Sequence, residues 1–248
     1  VKIIDSHMHC GVQNVQQPYS LIRSELDDGD IAGACVFAPV EDVYDRYDYH
    51  FEDSQAWVDC RQRANRYLLD VQEQHEDFFA YYFVWNDFRR EELAKGYRGI
   101  KWHRHEYEPV YRYGDTRCGE FLQEVFRLEL PVVLEESFEN TLYFLNRVAG
   151  RTVVIIPHMG MLNGGFTSLF REGVWEDPTV YADTALASRH EITAFLDRYG
   201  PDRLLFGSDF PFGTPSHELN KIERLGLPAE DFEKIVSKNI LRLMRVEA

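Results

Sequence analysis

Short apolar runs recur along the whole chain, each followed by a loop and most by an amphipathic stretch with helical spacing. The runs are Lys2–His9, Ile31–Ala38, Phe78–Trp85, Arg98–His103, Leu130–Glu136, Thr152–His158, Val180–Thr184 and Leu204–Asp209. In a chain of 248 residues that is about 31 residues per unit, close to a minimal βα repeat. Helices are expected at Asp53–Gln74, Cys118–Leu128, Thr141–Val148, Glu191–Tyr199 and Glu230–Met244, with Gly150, Gly200 and Gly226 where helices should stop. Alternating βα units require a parallel sheet with right-handed crossovers. Eight of them point to closure into a (β/α)8 TIM barrel, one domain over residues 1–248. An open doubly wound sheet is the rival, but no GxGxxG motif opens a helix after the first run. A hydrophobic fraction of 44% is enough for a large core, and no segment is rich enough in Pro, Gly or Ser to divide the chain.

The first run ends in Asp5-Ser6-His7-Met8-His9. On a strand, residues i and i+2 face the same side, so His7 and His9 leave together, as a pincer for a divalent cation. Two hydrogen-bonded core histidines are the plainer alternative. Other strand ends also carry polar residues: Lys101-Trp102-His103-Arg104-His105, Glu135-Glu136, Pro157-His158-Met159-Gly160 and Gly207-Ser208-Asp209-Phe210-Pro211. In a barrel these ends share one rim, where active sites are built. Asp209 follows Leu204-Leu205-Phe206, and a carboxylate there is costly to bury without a partner. A cation held by imidazole and carboxylate lowers the pKa of a bound water. Asp209 then serves as ligand and proton acceptor, and His158 as general acid or base or as a group polarising a substrate oxygen.

The net charge of −15 disfavours nucleic acid and anionic membranes as partners. No apolar run approaches membrane-spanning length. Cys10, Cys35, Cys60 and Cys118 form no CxxC pair and read as reduced thiols. With no leader-like segment before the first strand, the expected location is cytoplasmic. Cys10 is expected to face away from His9 and pack.

Taken together, these motifs resemble the amidohydrolase superfamily, in its amidohydrolase-2 (amidohydrolase-related) branch. DSHMH at 5–9 is similar to the first-strand DxHxH, GIKWH at 99–103 to the fourth-strand GxKxH, IPHMG at 156–160 to the sixth-strand HxG segment, and LFGSDFP at 205–211 to the eighth-strand GSDxP. The segment IVSKNILRL at 235–243, with Asn239, resembles the branch's terminal helix. The resemblance implies His7, His9 and Asp209 as metal ligands and His158 as a catalytic residue or further ligand. It also implies Lys101 and His103 as substrate-pocket residues. The ion expected is one zinc, with manganese the alternative. One position departs from the pattern: Pro131-Val132-Val133-Leu134 runs into Glu135, where the branch has histidine. Glu135 is taken as a substitute ligand, with Glu136 pointing away; loss of a ligand is the opposite outcome. Carboxylation of Lys101 as a bridge between two metals is disfavoured. Arg104 and His105 are candidates for a substrate carboxylate or for an exposed loop, and Asp183 for a partner of a ligand histidine. Tyr107, Tyr111 and Tyr113 either stack on a substrate ring or pack, and Glu41–Phe51 forms a lid, an oligomer contact or a solvated loop.

The expected function is hydrolysis of a small-molecule ester, lactone or amide by a metal-activated water. The alternative within the branch is non-oxidative decarboxylation of an aromatic or unsaturated carboxylic acid. A TatD-type nuclease needs a carboxylate in its third strand, and Phe79–Trp85 has none. A metal-free barrel acting as a binding protein is the non-enzymatic alternative. Self-association into a homo-oligomer stays open.

Overall fold

The computed structural model describes residues 1–246. Eight parallel strands follow one another around the sheet in chain order. They are β1 (Ile4–His9), β2 (Gly33–Phe37), β3 (Phe78–Phe83), β4 (Gly99–His103), β5 (Val132–Glu135), β6 (Val154–Ile156), β7 (Val180–Asp183) and β8 (Leu204–Leu205). Backbone hydrogen bonds join the last edge to the first: Ser6 N donates to Phe206 O (2.8 Å), Asp209 N to His7 O (2.7 Å) and His9 N to Phe210 O (2.9 Å). The fold is the single-domain (β/α)8 barrel that the alternation predicts.

Strands buried on both faces are apolar throughout, as in Phe78–Phe83, where every residue is buried. Alternate residues feed two cores. Cys35, Phe37, Phe79, Tyr81, Val133, Ile155 and Tyr181 fill the barrel, whereas Val36, Ala80, Ile100, Trp102, Leu134 and Val154 face the helices. Gly99 faces inward because Tyr81 takes its space: a Cβ there would fall 1.8 Å from the Tyr81 ring.

The helices are α1 (Tyr19–Asp27), α2 (Gln55–Gln74), α3 (Thr116–Leu128), α4 (Phe138–Val148), α5 (Phe166–Arg171), α6 (Arg189–Tyr199), α7 (Pro215–Glu223), α8 (Ala229–Glu233) and α9 (Asn239–Met244). A π-helical turn, Lys234–Lys238, joins α8 to α9. Ile240, Leu241 and Met244 plug the barrel floor, and Asn239 Nδ2 ties the helix to Pro201 O (2.8 Å) and Leu204 O (2.9 Å). α3, α4 and α6 begin two or three residues before their apolar periodicity does. Their first turns are set by the caps Asp115, Ser137 and Ser188, the last in a reciprocal capping box with Glu191. α1, α5 and α7 lie outside the expected helices. None is longer than nine residues, too short for a periodic apolar stripe to stand out.

Among the described residues no helix is long and apolar enough to cross a membrane. All four cysteines are free, and Cys10 packs in the outer core.

Gly99→Ala should destabilise the protein by about 1–3 kcal/mol through overpacking against Tyr81. Urea denaturation measures it, and an unchanged midpoint would mean that Tyr81 does not fill the space above Gly99.

Candidate metal centre

β1 brings Ile4, His7 and His9 to the barrel interior, which a regular two-residue alternation cannot do. The pairing register with β2 shifts between Asp5 and Met8, and this irregularity re-aims the strand. Asp5 accounts for the disturbed ladder: its Oδ1 accepts from His7 N (2.9 Å) and Ser208 N (3.0 Å). Burial raises the Asp5 pKa to about 7. On the facing segment, Gly207 lets β8 approach β1; a Cβ there would lie 3.0 Å from His7 Cβ. Asp209 then leaves extended geometry, at φ 57°, a conformation Asp tolerates better than most residues. β8 itself already ends at Leu205 rather than at Asp209 as expected. β6 ends at Ile156, just before a left-handed turn in which His158 and Met159 have φ of 57° and 51°.

These turns bring the predicted residues together. His7 Nε2 and His9 Nε2 each lie 3.3 Å from Asp209 Oδ1. His7 Nε2 is 3.8 Å from Glu135 Oε1, and His158 Nε2 is 3.8 Å from both Glu135 Oε2 and Asp209 Oδ2. Two donors each about 2.1 Å from a tetrahedral ion stand about 3.4 Å apart, so His7, His9 and Asp209 fit one cation. The tautomers agree. His7 Nδ1 donates to Asp183 Oδ2 (2.8 Å), His9 Nδ1 to Ala38 O (3.3 Å) and His158 Nδ1 to Ala185 O (3.1 Å). Each bond puts the proton of the neutral ring on Nδ1 and leaves the Nε2 lone pair facing the cluster. Asp183 thus accepts from the ring of His7, the kind of partner its position suggested.

Glu135 and Lys101 form a buried ion pair inside this group, and Lys101 Nζ also lies 3.0 Å from His7 Nε2. Lys101 is fully buried. It stands one layer below the pocket where it was expected, because it precedes His103 by two residues on the same strand face. His103 does reach the pocket wall; its Nε2 is 3.3 Å from Glu135 Oε2. Glu136 points away from the cluster as expected, toward Tyr113 Oη (2.7 Å) and Arg104 (2.9 Å). Arg104 is buried in that pair and neither faces a substrate nor lies exposed. Tyr111 and Tyr113 pack on Trp102, and Tyr107 is exposed.

Burial opposes the charge on Asp209, but His7, His9 and His158 outweigh it and hold the carboxyl well below its ordinary range. Burial likewise opposes charge on Glu135, and Lys101 and His103 reverse it. Burial and then Lys101 push His7 down; burial pushes His103 to about 4. His158 goes the other way: burial opposes its charge, yet Glu135, with Asp183 and Asp209, raises it to about 9.

Above the cluster is a cavity of about 170 Å³ lined by Val40, Leu162, Leu186 and Phe212 together with His9, Arg46, His103, His105, Glu135 and Asp209. Arg46 was not anticipated. It sits in the Glu41–Phe51 loop, and only the contact of that loop with the segment after β4 reveals it.

A family model described as Amidohydrolase matches residues 4–246. No curated protein matches the chain. Among solved structures, 2,6-dihydroxybenzoate decarboxylase from Rhizobium is 17% identical, with TM-score 0.73 over 98% of both chains. A candidate 2-pyrone-4,6-dicarboxylic acid hydrolase from Pseudomonas putida is 16% identical, with TM-score 0.74 over 100% of this chain and 98% of the other. A dihydroxybenzoic acid decarboxylase from Polaromonas, with bound manganese and the inhibitor 2-nitroresorcinol, is 16% identical, with TM-score 0.74 over 98% of this chain and 97% of the other. At such identities the likeness is one of fold.

In metal-free protein His158 binds its proton more tightly folded (about 9) than unfolded (6.5). Its contribution to stability should therefore be complete below pH 6.5 and lost as pH rises through 9. Thermal melts across that range should show the decline, and His158→Gln should flatten it; an equal slope in the variant would assign the effect elsewhere.

Proposed function

The chain belongs to the amidohydrolase family, and on that premise we propose that it is a metal-dependent hydrolase cleaving an ester, lactone or amide of a small single-ring substrate. The carrying observation is the convergence of His7 Nε2, His9 Nε2 and Asp209 Oδ1 beneath the cavity walled by Val40, Leu162, Leu186 and Phe212. An apolar cavity of about 150 Å³ holds one benzene molecule, so a cavity of about 170 Å³ suits a monocycle.

We assign the metal to His7, His9 and Asp209, with Glu135 as the further carboxylate ligand once Lys101 yields it. The mixed imidazole and carboxylate donor set suits zinc, and manganese as the harder alternative. The ion, when bound, supplies Lewis acidity and acidifies water. Asp209, ionised throughout the working range, takes a proton from the attacking water. His158 Nε2 faces Asp209 Oδ2 and returns a proton to the leaving oxygen or nitrogen. His103 stands at the wall where the substrate is oriented, and Lys101 compensates the charge of Glu135 from below. The free cysteines agree with a reducing cytoplasm as the location, and the apolar cavity with a small molecule as the partner.

Decarboxylation of a ring carboxylic acid is the second reading, and the place of His158 Nε2, 3.8 Å from both Glu135 Oε2 and Asp209 Oδ2, favours it. The bond to the carboxyl group breaks, its electron pair stays on the ring carbon, and His158 supplies the proton that carbon takes. The Lys101–Glu135 pair, which places a cation of the protein's own among the ligands, is the observation on the side of a metal-free binding protein.

Protein prepared without chelator should hold about one equivalent of zinc or manganese, with uptake lost in His7→Ala and Asp209→Ala. Less than about a tenth of an equivalent after reconstitution would favour the binding protein. Asp183→Asn should weaken the metal by about 10–100-fold, and Lys101→Met should tighten it by freeing Glu135, both read by competition with a chromophoric chelator. Asp209→Asn should lower kcat by roughly 10²–10⁴-fold on a panel of aromatic lactones and hydroxybenzoates. Release of CO₂ without hydrolysis would select the second reading.

A further inference from the structure

One wall of the cavity is built on a backbone conformation that its residue does not favour. Leu186, half-buried, lines the cavity above the cluster and has φ of 56°. It is left-handed like His158 and Asp209, but it brings no polar atom to account for the position. Ala187 N donates to Thr184 O (3.1 Å), so Leu186 is the third residue of a tight turn after β7. A positive φ there ordinarily calls for Gly or Asn, and a bulky aliphatic residue in it is an outlier. Strain of this kind persists only where the surroundings over-determine the backbone, and it gathers at functional sites.

The surroundings do so here. Leu186 N donates to Glu218 Oε2 (3.0 Å) on α7. One helical turn on, Lys221 Nζ donates to Ala187 O (2.7 Å) and Thr184 O (3.1 Å) and pairs with Glu218. From the cluster side, Ala185 O accepts from His158 Nδ1 (3.1 Å), and Ala185 N donates to Asp183 Oδ1 (3.1 Å). The leucine side chain held in this way reaches the loop after β8. A Cβ on Gly213 would lie 3.0 Å from Leu186 Cδ2 and 2.3 Å from Ser208 O, so that loop runs hard against the leucine. Leu186 closes the gap between the two loops. Gly or Asn would make the same turn without the strain; neither would make the wall.

We propose that Leu186 is the specificity-determining residue of this site: it limits the substrate to one ring by barring a second fused ring, and Glu218 and Lys221 are the positioning residues that hold it in place. The inference rests on the reading of the cavity as a single-ring site and adds which side chain sets that limit.

The test is isothermal titration of zinc-reconstituted protein with benzyl alcohol and with 2-naphthylmethanol, which carries the same group on fused rings. Wild-type protein should bind benzyl alcohol at least ~tenfold more tightly, because the larger ligand overpacks the wall. Leu186→Ala should bring the ratio to about threefold or less by opening that wall. Glu218→Ala should narrow the ratio part of the way, and Glu218→Gln, which keeps an acceptor for Leu186 N, should preserve it. A merely structural role would change stability and leave the ratio alone. The strain has its own readout: Leu186→Gly should melt about 2–4 °C above Leu186→Ala, since glycine adopts the turn freely. An unchanged ratio in Leu186→Ala or in Glu218→Ala, a ratio lost in Glu218→Gln, or a glycine variant that melts below the alanine one would each overturn the inference alone. Failure of the wild type to bind benzyl alcohol, or equal binding of the two ligands, would overturn the single-ring reading together with it.

Discussion

The carboxylate of Asp183 holds three strand ends at once. Its Oδ2 accepts from His7 Nδ1 on β1, and its Oδ1 accepts from His158 N after β6 and from Ala185 N after β7. All these groups are buried, where an unpaired donor or charge is costly. The bonds therefore fix which tautomer His7 adopts, stabilise the left-handed turn at His158, and set the distance between two imidazoles. Ring centroids of His7 and His158 stand 5.0 Å apart as a result. Remove this one acceptor and His7 Nδ1, His158 N and Ala185 N lose the partner they share.

The charges inside the rim are arranged around the same point. Asp209 and Glu135 are two buried carboxylates that both face His7 Nε2, and Lys101 neutralises the second. With no cation beyond Lys101, His158 takes up the remaining negative charge by holding its proton more tightly. A divalent ion competes for the same two carboxylates, so metal uptake and the protonation of His158 draw on one electrostatic field. Glutamate at the end of β5 thus does more than offer a donor oxygen. It adds a negative charge that Lys101, His103 and His105 all face.

Most of this was legible in the sequence. The order of apolar runs gave the barrel, because a parallel sheet buried on both faces leaves few other arrangements. The motifs at its strand ends placed His7, His9, His158, Glu135 and Asp209 on one rim, and the alternation of Glu135 and Glu136 sent them to opposite sides. Periodicity could not locate the end of β6, because left-handed residues at His158 and Met159 turn the chain there, and it gave no sign that β8 stops at Leu205. Nor could it find Arg46, whose position depends on a loop-to-loop contact with Glu108, 62 residues away. The depth of Lys101 was readable in principle, since a two-residue step along a strand moves a side chain one layer down the barrel.

What separates the two halves of the rim is the partner of each Nδ1. On one side, Asp183, Ala38 and Ala185 offer oxygen acceptors, and the histidines present lone pairs to the centre. On the other, Arg46 offers a donor and His105 accepts it at Nδ1. Both outcomes come from the same imidazole, and neither can be assigned from spacing or from burial. A histidine's role here is decided one bond behind the site, by whether the fold has set an oxygen or a guanidinium at its back. For that reason the grouping of His103, His105 and Glu135 differs in donor character from the grouping of His7, His9 and Asp209, although the ligand atoms of both lie close together.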